Sequence, residues 1–161
     1  NMMNKFVWGN IADPNVYLDE QHIRMARTMR MMFGQLVDAL INEGQKEKAL
    51  AVLDKCMEVI PITSVPADYS TAMLAGYYYE LGQTEKADNL TRPLLDDCIQ
   101  KIEWVNSLDI RKRRRIVSQE LSIRQNVGLI QNLWMTARNH NSELTTELEE
   151  NLQKYYPLAN Q

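Results

Sequence analysis

Apolar residues along this chain recur at steps of three and four, and no segment alternates at a step of two with β-branched enrichment. From about Asp19 to Glu43, Ile23, Ala26, Met29 or Arg30, Phe33, Leu36 or Val37, and Leu40 share one face, which predicts a first helix. Asp19 and Glu20 suit its positive end, Glu20 and Arg24 form an i,i+4 pair, and Gly44 closes it in the left-handed region. A second helix is expected from about Lys46 to Ile60, with Ala49, Val52, Leu53, Cys56 and Ile60 inward. Pro61 stops it, and Pro66 frames a linker from Pro61 to Ala67. A third, about Asp68 to Leu81, carries Leu74, Ala75, Tyr78 and Leu81 and ends at Gly82. The fourth runs from near Thr84 to about Ser107, and Pro93 inside it is expected to kink or split it. Ile116, Ile123, Val127, Ile130, Trp134 and Ala137 predict a long fifth helix over about Asp109 to Asn139. Asn141 or Ser142 is expected to cap a last helix striped by Leu144, Leu148, Leu152 and Tyr155. Residues 1–18 read as irregular, broken at Gly9 and Asp13-Pro14, with Phe6, Trp8 and Tyr17 as anchors. The expected fold is all-α, with residues 19–161 as a single domain.

Within that pattern one phrase is written twice. Gly44-Gln45-Lys46-Glu47-Lys48-Ala49 returns 38 residues later as Gly82-Gln83-Thr84-Glu85-Lys86-Ala87, each time between two helical stretches. The phrase marks a repeated helix–turn–helix, and such units stack to bury their apolar faces. The spacing resembles the tetratricopeptide repeat, in which a Gly closes the first helix, an Ala five residues later seats the second, and a Pro ends the unit. The first copy matches at Gly44, Ala49 and Pro61, with Phe33, Leu36 and Leu40 at the large apolar positions. The second matches at Gly82 and Ala87, with Leu74, Ala75 and Tyr78, but carries Ile99 where the terminal Pro would stand and Thr91 at an apolar position. The resemblance implies two repeats, about 19–61 and 67–107, capped by two further C-terminal helices over about 109–156. It also implies a ligand face on the first helix of each unit. Register from Gly44 puts Met31, Gly34, Asp38 and Ile41 there, and register from Gly82 puts Tyr69, Ala72, Gly76 and Tyr79 there. The Lys and Asn residues with which such repeats clamp a peptide carboxylate are missing from these positions, and the small and aromatic residues there suit an apolar segment, the chain's own N-terminal stretch or C-terminal helices included.

Composition narrows the function. The chain has 161 residues, 45% apolar and 24% charged, enough for a real core. A net charge of −3 argues against a nucleic-acid partner. No apolar run approaches the roughly 20 residues that span a bilayer. The opening Asn1-Met2-Met3-Asn4 is the start expected of a piece cut from a longer protein. Cys56 and Cys98 each fall on an apolar helix face and read as two buried thiols, with a single disulfide as the alternative in an oxidising compartment.

A second resemblance covers nearly the whole chain. Phe6-Val7-Trp8-Gly9-Asn10, then Leu18-Asp19-Glu20, Arg24-Met25, Arg30 and Phe33, followed by the two glycine repeats, is similar to the C-terminal region of a bacterial multi-pass membrane-protein family of unknown function, itself related to protein O-mannosyltransferases. The resemblance implies a soluble helical tail on the periplasmic side of a glycosyltransferase that uses a lipid-linked sugar. No transferase residue carries over to this chain.

Chemistry-bearing clusters are few. Arg111-Lys112-Arg113-Arg114-Arg115 could grip the phosphates of anionic lipid or of a lipid-linked sugar donor, or form a solvated helix start. In Tyr77-Tyr78-Tyr79, Tyr78 is expected in the core and Tyr79 toward the groove, while Met25, Met29 and Met32 step along one face as expected core. His22 and His140 stand in no metal-binding spacing, and the scattered glycines form no phosphate loop. The expected function is a non-catalytic protein-interaction or scaffolding domain without cofactor or metal. Its expected partner is a protein or peptide, the parent's own membrane domain included. The alternatives are a lipid-contacting accessory domain and a free-standing cytoplasmic scaffold.

Overall fold

The computed structural model describes residues 5–109, 111–113 and 121–160, and among them the regular structure is helical throughout, with no strand. The helices are α1 (Glu20–Asn42), α2 (Lys46–Val59), α3 (Tyr69–Glu80), α4 (Thr84–Ser107), α5 (Ile123–Asn139) and α6 (Thr145–Tyr155), followed by a 3₁₀ turn over Tyr156–Asn160. The chain divides into two compact units, residues 1–90 and 91–161, so the division falls inside α4.

In the first unit, α1 starts at an Asp19 cap whose carboxylate accepts from the His22 N–H at 2.9 Å. At its other end the chain turns on Gly44, at φ +74°. The Gly44 N–H donates to the Ile41 carbonyl at 2.9 Å and the Gln45 N–H to the Leu40 carbonyl at 2.8 Å, the paired bonds of a Schellman turn. The second copy of the phrase makes the same turn. Gly82 sits at φ +73°, its N–H donating to Tyr79 at 2.9 Å and that of Gln83 to Tyr78 at 2.8 Å. The small residue five positions on, Ala49 or Ala87, is fully buried in both. A third Schellman turn closes α5, with Asn141 at φ +54° in place of Gly and Ser142 donating to the Ala137 carbonyl at 3.0 Å.

α1 packs on both α2 and α3, and α3 touches α2 as well. The core between them holds Phe33, Val37, Leu53, Cys56, Ile60, Leu74 and Tyr78, each large aliphatic side chain contributing about 1.5–3 kcal/mol by leaving water. Among these sits a cation, for Arg30 is completely buried. Its guanidinium donates to the Ile60 carbonyl at 3.0 and 3.2 Å, to Val65 at 2.7 Å, and to Pro66 and the Thr71 hydroxyl at 3.2 Å each. Those acceptors lie at the negative end of α2, along the Pro61–Ala67 linker and in the first turn of α3, so one side chain of α1 ties three segments together. Burial lowers its pKa from the usual arginine value, and the Asp68 charge partly restores it. Asp68 caps α3 in a capping box with Thr71. The N-terminal strap lies against α1, with the Trp8 ring stacked on Phe33 at 5.6 Å between centroids. Tyr17 and Phe6, expected as further anchors, are exposed, at 89% and 52%.

In the second unit, α5 packs on α6 and on the 3₁₀ turn. Leu94, Cys98 and Ile102 of α4, Val127 and Ile130 of α5, and Leu148 of α6 are buried. Arg92 pairs with Glu147 at 2.9 Å, and Lys154 with Glu103 at 3.3 Å. Of the kink or split expected at Pro93, the split is excluded, since α4 runs through it. The carbonyl that Pro93 leaves without a helical partner belongs to Asn89, an exposed residue. Two further expectations change. The long fifth helix is not continuous, because Ser122 is extended (ψ 122°) and α5 begins after it; Ile116 lies outside the described residues. Asn141 ends α5 rather than capping α6; Ser142, the other candidate, accepts from the Leu144 N–H at 3.1 Å through its hydroxyl, just ahead of the α6 N-cap Leu144.

Candidate interaction face

The two first helices, α1 and α3, lie side by side and present one open face. On α1 it carries Arg27, Met31, Asp38 and Ile41, of which Met31 and Asp38 are exposed and Ile41 half-buried. On α3 it carries Tyr69, the most exposed aromatic of that helix at 69%, with the half-buried Met73, Gly76 and Tyr77. The helices approach closely because Gly34 leaves room. A Cβ on Gly34 would collide with the Met73 methyl and reach the Tyr77 ring at 3.6 Å.

Polar groups fix the face at both ends. Arg27 pairs with Asp68 at 3.3 Å, joining α1 to the α3 cap. Asp38 accepts from the Asn42 amide at 3.2 Å and stands beside Tyr77. Burial, then the Asp38 charge, raises the Tyr77 pKa above the usual phenol value, so its hydroxyl stays a donor at neutral pH. Between these ends lies an apolar stretch of Met31, Met73 and Tyr69 with a dent at Gly76, where nothing stands within 4 Å of a would-be Cβ.

The register read from Gly82 is corrected on α3. Tyr79 and Ala72 were expected in the groove, yet both are buried, at 2% and 7%. The Tyr79 hydroxyl donates to Asp88 of α4, which turns the ring inward. Tyr78 is core as expected, donating to Asp54 at 2.9 Å; burial and that carboxylate raise its pKa, and Lys86 pairs with the same Asp54 at 2.7 Å. Met73 and Tyr77 take the face positions instead, a shift that sequence periodicity does not resolve because aromatic and small residues occupy nearly every direction of α3. Nor is the methionine stripe core, since Met25 is 50% and Met32 45% exposed.

The basic run is partly engaged. Arg113 folds back to donate to the Leu108 carbonyl at 3.0 Å and the Asn106 side chain at 2.9 Å, closing the end of α4, and Lys112 pairs with Asp109 at 3.5 Å. Arg111 is exposed, whereas Arg114 and Arg115 lie outside the described residues. Both cysteines are buried free thiols with pKa values pushed up to about 12, chiefly by burial. His22 contacts the Asp19 carboxylate at 2.7 Å at the start of α1. An open hollow of about 420 Å³ lies against the Gly44–Lys48 turn, and an apolar one of about 90 Å³ lies beneath the strap, lined by Trp8, Met25, Met29 and Ile60 among others. Among the described residues no helix is long and apolar enough to cross a membrane, and no three His, Cys, Asp or Glu converge as a metal site would need. No protein-family model matches the chain, and no curated protein or solved structure matches it either.

Proposed function

We propose that this chain is a non-catalytic interaction module of tetratricopeptide-like hairpins, which takes an apolar segment of a partner protein on the open face of α1 and α3. The observation that carries the reading is the face itself: exposed Met31 and Tyr69 with half-buried Met73 lie between the Arg27–Asp68 ion pair and the exposed Asp38. Aromatic and methionine side chains suit such a surface, since one offers rigid contact area and the other adapts. Twin glycine turns with matching hydrogen bonds support the repeat reading. The setting we infer is the tail of a membrane glycosyltransferase-like protein whose own membrane domain is the partner; its support is the sequence resemblance. Peptide arrays probed with the full chain test the binding reading. Capture of apolar peptides should fall about tenfold or more with Tyr69→Ala or Met31→Ala, the loss of one well-packed contact. Capture that ignores both substitutions would refute it.

A further inference from the structure

We propose that the outer flank of α1 is a self-association surface, on which α1 of a second copy lies antiparallel. Gln21, Met25, Thr28, Met32, Gln35 and Ala39 follow one another at steps of four, three, four, three and four, and all six are exposed. That 3.5-residue period is the seam of a two-helix coiled coil, and no member of it carries a charge. The seam is self-complementary when reversed about the level of Arg30. Thr28 then faces Met32 of the second copy, Met25 faces Gln35, and Gln21 faces Ala39, so a large side chain meets a smaller or amide-bearing one in each layer. The Thr28 hydroxyl donates to the Arg24 carbonyl at 3.0 Å, which leaves its methyl for the contact.

Charge placement selects the same register. Arg24 and Asp38 border the seam on one side, both exposed. Antiparallel pairing with those layers brings Arg24 of each copy beside Asp38 of the other, which makes two symmetric ion pairs across the two-fold axis. The apolar surface also continues past the seam. Phe6 and Val7 of the strap are exposed and share the small hollow with Met25 and Met29. Counting back from the two glycines, Met32 and Leu36 correspond to Ser70 and Leu74 of α3, which are 3% and 0% exposed. The flank that α3 buries is thus left open on α1.

Sedimentation equilibrium of the full chain, from low micromolar to near-millimolar concentration, tests this. A reversible monomer–dimer equilibrium is expected. Met32→Glu should weaken it by about a hundredfold or more, because it buries a lone charge at the centre of the seam. Thr28→Lys should act alike, and circular dichroism should show both variants folded, since both side chains are exposed. Arg24→Asp should weaken the dimer and Arg24→Asp with Asp38→Arg should restore it. A monomer at every concentration, a dimer indifferent to Met32→Glu and Thr28→Lys, or a charge swap that fails to restore pairing would overturn the proposal.

Discussion

At Gly44 and at Gly82 the backbone does the same thing, with φ angles of +74° and +73° and paired bonds that agree within 0.1 Å. Fourteen residues before each glycine the two hairpins part company. In the first that place holds Arg30, buried and bonded to four residues of other segments. In the second it holds Asp68, a half-buried helix cap. Seventeen residues after each glycine they part again. Pro61 pushes the residue before it out of the helical region and ends α2 at Val59, whereas Ile99 lets α4 continue to Ser107. Local turn chemistry is therefore shared, and the long-range ties are private to each copy.

The largest contrast is energetic. Arg30→Met keeps the bulk but abandons several buried carbonyls of the linker, and should cost about 3–5 kcal/mol in urea unfolding. Asp68→Ala, at the matching place, removes a cap and one half-buried ion pair and should cost about 1–2 kcal/mol. Similar losses for the two would erase the distinction. A smaller contrast lies between glycines on the same face. Gly34→Ala drives a methyl into Met73, a flexible side chain, and should destabilise by about 1–2 kcal/mol. Gly76→Ala meets open space and should stabilise by about 0.5–1 kcal/mol through helix propensity. Thermal midpoints that move in opposite directions would bear this out, and a loss at both sites would break it.

The faintest contrast concerns pH. Arg30 does not titrate in any ordinary range, so the first hairpin's tie should be insensitive to acid. The extension of α4 that Ile99 permits carries Glu103, which accepts hydrogen bonds from Tyr155 and Lys154 and is held below the usual carboxylate range by them, Tyr155 first. A depressed folded-state pKa means that its stabilisation is present above about pH 4.3 and is lost as the pH falls through the depressed value. Glu103→Gln should therefore lower stability by a constant amount above about pH 4.3 and flatten the acid limb below it, where the variant and wild-type curves converge. An acid limb identical to wild type would remove the pair from the account.

Much of the helical frame is legible in the sequence, because capping residues and periodicity act within a turn or two. Asp19, Gly44, Pro61, Asp68 and Gly82 each end or begin a helix where expected. The failures have long-range causes. Arg30 reads as an ambiguous member of an apolar stripe; only the arrival of the linker carbonyls explains a buried cation there. Tyr79 follows the register of its glycine until Asp88 of the next helix claims its hydroxyl. Met25 and Met32 read as core because periodicity names a face without saying whether anything covers it. Periodicity leaves Pro93 open between a kink and a split, and α4 runs through it in one piece.

The central claim is that the two glycine turns are one device used twice. Paired Gly44→Ala and Gly82→Ala variants, compared in urea unfolding, test it most directly. Each forces a Cβ into the left-handed region and should cost about 1–2 kcal/mol. Equal losses within about 0.5 kcal/mol are expected, the precision to which independent sites add. A full loss at one glycine with free tolerance at the other would contradict it.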